Sequence, residues 1–180
     1  WEEDDTTVMV AFWVPDPLPD VRPEDGSWGR MMANLRVTAH LKEWRFNHTT
    51  GQTTTRKLDD LNAEFPMIDD RQLGLPTEYA YAVSLGDTPT LTFDGLIRYR
   101  LSDGRREHYR FPDGVVGSEA PFAPVDDSGC LVGFVHDQNT DESQVWVFDA
   151  EDLCAGPQAR MTLPQRVPLG FHATWAPARK

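Results

Sequence analysis

Two segments of similar pattern decide the fold: RFNHTTGQTTTRKL at residues 45–58 and RYRLSDGRREHYRF at residues 98–111. Each segment places a glycine, Gly51 or Gly104, in a polar turn between two runs of strand-forming residues. This is the pattern of a β-hairpin. A third copy, WVFDAEDLCAGPQARMTL, begins at Trp146 and has a longer turn. The sequence therefore predicts three hairpins that follow one another along the chain.

The hairpins repeat at a nearly constant period. Phe46, Tyr99 and Phe148 occupy equivalent positions and lie 53 and 49 residues apart, which is the period of large β-propeller blades. We therefore predict an all-β chain that forms about three consecutive blades. Propellers close with about four to eight blades, so the chain is expected to be part of a ring.

Further β-branched and aromatic runs, separated by Gly, Pro, Asp and Asn, predict more strands. These runs lie at residues 8–14, 53–58, 79–85, 96–101, 106–111, 131–136, 144–148 and 159–163. Apolar and polar residues also alternate over residues 35–41, and the alternation then shifts by one position so that Trp44 and Phe46 continue it. A one-residue shift of this kind predicts a β-bulge, although residues 31–41 could instead begin as a short helix.

Composition limits the partners. The 180 residues carry a net charge of −12, and 39% of them are hydrophobic. This composition predicts a globular chain that does not bind nucleic acid.

The longest apolar run, residues 8–14, is too short to span a membrane, which predicts a soluble, cytoplasmic protein. Cys130 and Cys154 are too few for a disulfide framework and are predicted to be free thiols.

Three chemically active residues occupy equivalent places where the chain returns to the propeller axis. Glu64, Glu119 and His172 lie 55 and 53 residues apart, and side chains at these returns point into the axial channel. Two acids and a histidine on one axis predict a metal site in which carboxylates orient an imidazole through its second nitrogen. The other histidines fall in polar or turn contexts and are predicted to lie at the surface: His40, His48, His108 and His136.

Two other functions fit some of the same residues. Glu64 and Glu119 could be the acid and base of a glycoside hydrolase, although that mechanism would leave His172 without a role. The chain could also be a catalytically silent fragment or a binding module, because a single histidine cannot hold a metal ion.

Four motifs resemble the carotenoid cleavage oxygenase family, which includes apocarotenoid and lignostilbene dioxygenases and the retinoid isomerase of the eye. They are NAEFPMIDDRQLGLPTEYAYAV at residues 62–83, GSEAPFAPV at 117–125, GCLVGFVHDQNTDESQVWVFDAEDL at 129–153 and LPQRVPLGFHATW at 163–175. The opening WEEDD is similar to the segment that follows the family's third iron-binding histidine. The resemblance therefore places residues 1–180 in the C-terminal part of such a protein, with the N-terminal blades absent.

The resemblance implies a seven-bladed propeller that holds one Fe(II) by four histidines, three of them backed by glutamates. His172 matches the fourth iron-binding histidine, and Glu64 and Glu119 match two of the glutamates. The implied reaction is cleavage of a carbon–carbon double bond in a carotenoid, apocarotenoid or stilbene by O2, which gives two carbonyl products. On its own the chain is expected to be inactive, and any peripheral membrane contact would come from the absent blades.

Overall fold

The computed structural model describes residues 1–170 and 172–178. Strands make up 45% of the described residues and helices 10%, so the predicted all-β class is confirmed. The strands are β1 (Glu2–Glu3), β2 (Thr6–Trp13), β3 (His40–Asn47), β4 (Thr53–Lys57), β5 (Ala63–Met67), β6 (Tyr79–Leu85), β7 (Phe93–Arg100), β8 (Arg106–Arg110), β9 (Val115–Gly117), β10 (Phe122–Val125), β11 (Ser128–Asp137), β12 (Glu142–Asp149) and β13 (Pro157–Thr162). The helical segments are the 3-10 turns Pro23–Trp28, Asp70–Gln72 and Leu153–Ala155 and the short α-helix α1 (Gly29–Asn34).

The strands form three consecutive four-stranded antiparallel units. The first, blade 1, is a separate sheet with the order β1-β2-β3-β4. Blade 2 (β5 to β8) and blade 3 (β10 to β13) have the same order along the chain. Strand β9 pairs with both β7 and β11 and so joins these two blades into one nine-stranded sheet. The prediction of about three blades is confirmed.

The glycine turns form as the sequence predicts. Gly51 and Gly104 have φ angles of 70° and 74°, a region that residues with a side chain rarely adopt. A Cβ atom on Gly104 would lie 2.3 Å from the carbonyl oxygen of Leu58. The turn between β7 and β8 therefore packs directly on the end of blade 1, and only glycine fits there.

Two details of the strands differ from the sequence prediction. Strands β5, β9 and β10 were not anticipated, because β9 has three residues and the other two contain prolines, Pro66 and Pro124, which disfavour strands. The predicted bulge near Trp44 is wrong, since β2 and β3 pair without interruption from Thr6 to Trp13. The alternation shifts there because residues 35–39 precede the strand and do not belong to it.

Blade 2 is the centre of the described structure because both of its faces are buried. On β7, Leu96 packs into an apolar cluster with Leu131 and Phe148 of blade 3. The next residue, Ile97, packs into a second cluster with Leu41 of blade 1. Consecutive residues of a strand point to opposite faces, so β7 supplies the cores on both sides and fixes the spacing of the blades.

A buried polar contact also holds blade 1 to blade 2. The Tyr99 hydroxyl donates a hydrogen bond of 3.0 Å to Asp59, which also accepts one from Arg106. Burial, together with the Asp59 charge, raises the pKa of Tyr99. The phenol therefore stays protonated and remains a hydrogen-bond donor at neutral pH.

None of the helices in the described ranges is long and apolar enough to cross a membrane. Cys130 and Cys154 are both free, as the sequence predicts.

Candidate functional site

Glu64 lies on β5, the first strand of blade 2, at an irregularity in the strand. The pairing of β5 with β6 shifts between Glu64 and Met67, so β5 carries one extra residue there. The residue after the glutamate, Phe65, has a positive φ of 57°. The Glu64 carboxylate accepts a short hydrogen bond from the backbone amide of Phe65, which holds the acid at the bulge.

Glu119 lies in the equivalent position of blade 3, in the short connection between β9 and β10. Its neighbour Ser118 donates a hydrogen bond of 2.8 Å to the Glu119 carbonyl oxygen and accepts one of 3.0 Å from the Phe134 amide. The connection is therefore tied to β11, and the Glu119 side chain is only 14% exposed. A carboxylate this confined can hold a partner in one position.

That partner is His172. The His172 Nδ1 atom lies 3.5 Å from the Glu119 carboxylate, which also accepts a hydrogen bond of 2.8 Å from the Ala173 amide. The preceding segment is anchored on blade 3 by Ser143, whose backbone carbonyl and hydroxyl oxygens accept 2.8 Å hydrogen bonds from the amides of Leu163 and Val167. The His172 side chain is 81% exposed, and with Nδ1 beside the acid, Nε2 is the nitrogen available to bond a metal.

The three predicted site residues line one open cleft of about 530 Å³. Phe65 and Pro66 contribute to its wall, and the remaining lining residues are aliphatic: Val14, Val37, Leu85 and Leu91. An apolar wall with a few polar groups at one place is the usual form of a small-molecule site.

The donor atoms fit one part of an iron site. A neutral imidazole backed by a carboxylate on its second nitrogen is a common metal ligand. Among residues 1–170 and 172–178, no three His, Cys, Asp or Glu side chains are grouped to hold a metal. His172, with Glu119 beside its Nδ1 atom, therefore fits one position of a metal's coordination sphere, and the described residues group no further ligands with it.

The other four histidines were predicted to lie at the surface, and this prediction is wrong for His136. His136 is only 6% exposed, with Nε2 lying 3.5 Å from Asp141. His136 lies on β11 with β9 and β12 paired on either side, and residues 167–170 line the same small cavity. His108 is half-buried beside Ser84, and burial lowers its pKa. Neither residue lines the cleft.

The family model described as RPE65, retinal pigment epithelial membrane protein, matches residues 1–177. The chain belongs to this family, the carotenoid cleavage oxygenases. It is 33% identical over 193 residues to the carotenoid 9,10(9',10')-cleavage dioxygenase 1 of Pisum sativum, covering 96% of this chain and 35% of that protein. The chain thus spans about a third of the length of the curated relatives it matches.

Two solved structures support the fold. Synechocystis apocarotenoid oxygenase superposes with a TM-score of 0.83 at 20% identity, covering 99% of this chain and 38% of that one. The lignostilbene dioxygenase of Pseudomonas brassicacearum superposes with a TM-score of 0.79 at 23% identity, covering 98% and 40%. The three blades therefore have the fold of part of a carotenoid oxygenase β-propeller.

Sequence reasoning missed Phe65. Its ring centroid lies 5.1 Å from the His172 ring and 5.1 Å from the Phe93 ring. In the sequence Phe65 is one of nine phenylalanines, and its position directly after Glu64 was the only signal that it borders the site.

Proposed function

We propose that residues 1–180 are the C-terminal part of a non-haem Fe(II) dioxygenase that cleaves a carbon–carbon double bond of a carotenoid, apocarotenoid or stilbene. The observation that carries this proposal is the Glu119–His172 pair at an apolar cleft in a chain of this family. Each atom of O2 ends in one of the two carbonyl products, so the reaction balances without another reductant.

The proposed ligand is His172, which would bond the iron through Nε2. The Glu119 carboxylate would accept a hydrogen bond from Nδ1–H, which fixes the tautomer and turns Nε2 toward the metal. Glu64 would play the same part for an imidazole supplied by the N-terminal blades. When bound, Fe(II) supplies the redox chemistry that activates O2.

The cleft wall supports a polyene or stilbene substrate over a sugar. Val14, Val37, Leu85 and Leu91 bring no hydrogen-bonding side chains to the cleft, and a sugar ring needs such groups. Apolar walls bind a conjugated chain by burial and keep water away from the reacting double bond. Cytoplasmic location and contact with membrane surfaces through the other blades stay predictions.

The test uses the complete protein that contains this chain, loaded with Fe(II). We expect oxygen uptake with β-carotene, an apocarotenoid or a hydroxystilbene in detergent micelles, with one 18O atom from 18O2 in each carbonyl product. Removal of iron with a chelator should stop turnover, and added Fe(II) should restore it. The proposal is wrong if the iron-loaded protein consumes no O2 with all three substrate classes, or if it hydrolyses glycosides instead.

A second prediction concerns how much the negative charge of Glu119 contributes to iron binding. In the complete protein, Glu119→Gln should weaken iron binding by about 10- to 100-fold without abolishing it. A neutral amide oxygen still accepts a hydrogen bond from Nδ1–H, but it polarises the imidazole less than a carboxylate does. Glu64→Gln should also weaken iron binding. The matched control is Glu78→Gln, since Glu78 is an exposed acid outside the cleft. Iron affinity in Glu119→Gln equal to that of the control would contradict the assignment.

A further inference from the structure

The backbone of Phe65 is unusual for its residue type. Four non-glycine residues in the described ranges have a positive φ, and the other three are aspartates: Asp4, Asp126 and Asp141. A short polar side chain tolerates this conformation, whereas for a bulky residue it is strained. Strain of this kind persists where the surrounding structure enforces it, and it is concentrated at functional sites.

The strained residue changes what the strand presents to the cleft. In a regular strand, neighbouring side chains point to opposite faces, so Glu64 and Phe65 could not both face one site. The bulge between Glu64 and Met67 breaks this alternation, and both side chains line the same cleft. The left-handed conformation of Phe65 therefore brings an acid and an aromatic ring to the site from adjacent positions.

The ring of Phe65 links the exposed imidazole to the rigid core. It meets the His172 ring at an interplanar angle of 63° and the Phe93 ring at 74°, both edge-to-face geometries that aromatic pairs favour. Phe93 is 2% exposed and belongs to the core cluster between blades 2 and 3. The His172 side chain is 81% exposed, and the edge-to-face contact with Phe65 packs one side of its ring.

We propose that Phe65 is a positioning residue that fixes the plane of the His172 imidazole. Glu119 holds one edge of the imidazole at Nδ1, and Phe65 holds the ring against rotation through its contact with Phe93. Both constraints are needed, because a single contact of 3.5 Å at Nδ1 leaves the imidazole able to rock about its Cβ–Cγ bond. This inference rests on the proposed function, in which Nε2 of His172 bonds the iron.

The test compares variants of the complete protein. Phe65→Leu keeps an apolar side chain but removes the ring, and Phe65→Tyr keeps the ring. We expect Phe65→Leu to bind Fe(II) about tenfold more weakly and to broaden the electron paramagnetic resonance signal of its nitric oxide adduct. Phe65→Tyr should stay within about twofold of the wild type with an unchanged signal. Phe46→Leu, at a partly exposed phenylalanine of blade 1 that does not line the cleft, is the matched control.

A second pair of variants tests the backbone. Both Phe65→Gly and Phe65→Ala remove the ring, but glycine accepts a positive φ without strain. The glycine variant should therefore unfold at a higher temperature than the alanine variant, while both lose iron affinity equally. The reverse order of stability would show that Phe65 does not hold a left-handed backbone.

The outcomes separate this inference from the proposed function. If the wild-type protein takes up no iron, the proposed function itself fails. If the wild type binds iron, and Phe65→Leu matches it in both affinity and resonance signal, the positioning role is wrong and the proposed function stands.

Discussion

Iron content should fall to near zero, and cleavage should be abolished, when His172 is replaced by alanine in the complete protein. The substitution removes a directly bonded nitrogen. Glu119 stays held by the backbone amide of Ala173, and Glu64 could replace the nitrogen only by abandoning the imidazole it is proposed to orient. Little stability should be lost, because the His172 side chain is 81% exposed in this chain. Metal analysis, oxygen uptake and circular dichroism measured on the same sample would show the loss of iron without unfolding.

The control for this substitution is His48→Ala. His48 is an exposed histidine in blade 1 whose Nε2 atom lies 2.8 Å from the Thr7 hydroxyl. It does not line the cleft, so its loss should leave iron content and turnover unchanged. Wild-type iron content and activity in His172→Ala would remove His172 from the metal site.

Leu131→Ala should have the largest effect on stability. Leu131 is fully buried on β11 and is paired in register with Phe122 on one side and Phe148 on the other. Shortening a buried leucine leaves a cavity and costs about 2 to 5 kcal/mol. For a chain of this size the loss corresponds to a midpoint of thermal unfolding lower by about 4 to 20 °C.

The matched control is Leu73→Ala, which makes the same change at a leucine that is 78% exposed. Its unfolding midpoint should move by no more than about 2 °C, since surface substitutions cost about 0.5 kcal/mol or less. Circular dichroism of the 180-residue chain during heating measures both. Equal midpoints for the two variants would show that the core between blades 2 and 3 is not packed as described.

The blades could be predicted from sequence because their signals are local. Gly51 and Gly104 mark turns that require a positive φ, and the runs on either side of them have strong strand propensity. The strands at the axis gave weaker signals: β5 and β10 contain prolines, and β9 is three residues long. Their pairing depends on neighbouring blades, which no local pattern encodes.

The candidate site was predicted in part for the same reason. Equivalent spacing along the blades indicated that Glu64, Glu119 and His172 face the axis, but spacing cannot say which carboxylate meets which nitrogen. The structure brings Glu119 to His172 and leaves Glu64 at the bulge. The conformation of Phe65 could not be anticipated, because phenylalanine disfavours a positive φ and only its surroundings impose it.

The most direct test is an X-ray structure of the iron-loaded complete protein, with anomalous diffraction measured on both sides of the iron absorption edge. We expect one iron peak per chain, directly bonded to Nε2 of His172, with Nδ1 of the same ring hydrogen-bonded to Glu119. An iron peak elsewhere in the protein, with His172 not bonded to it, would contradict the assignment of this chain as part of the iron site.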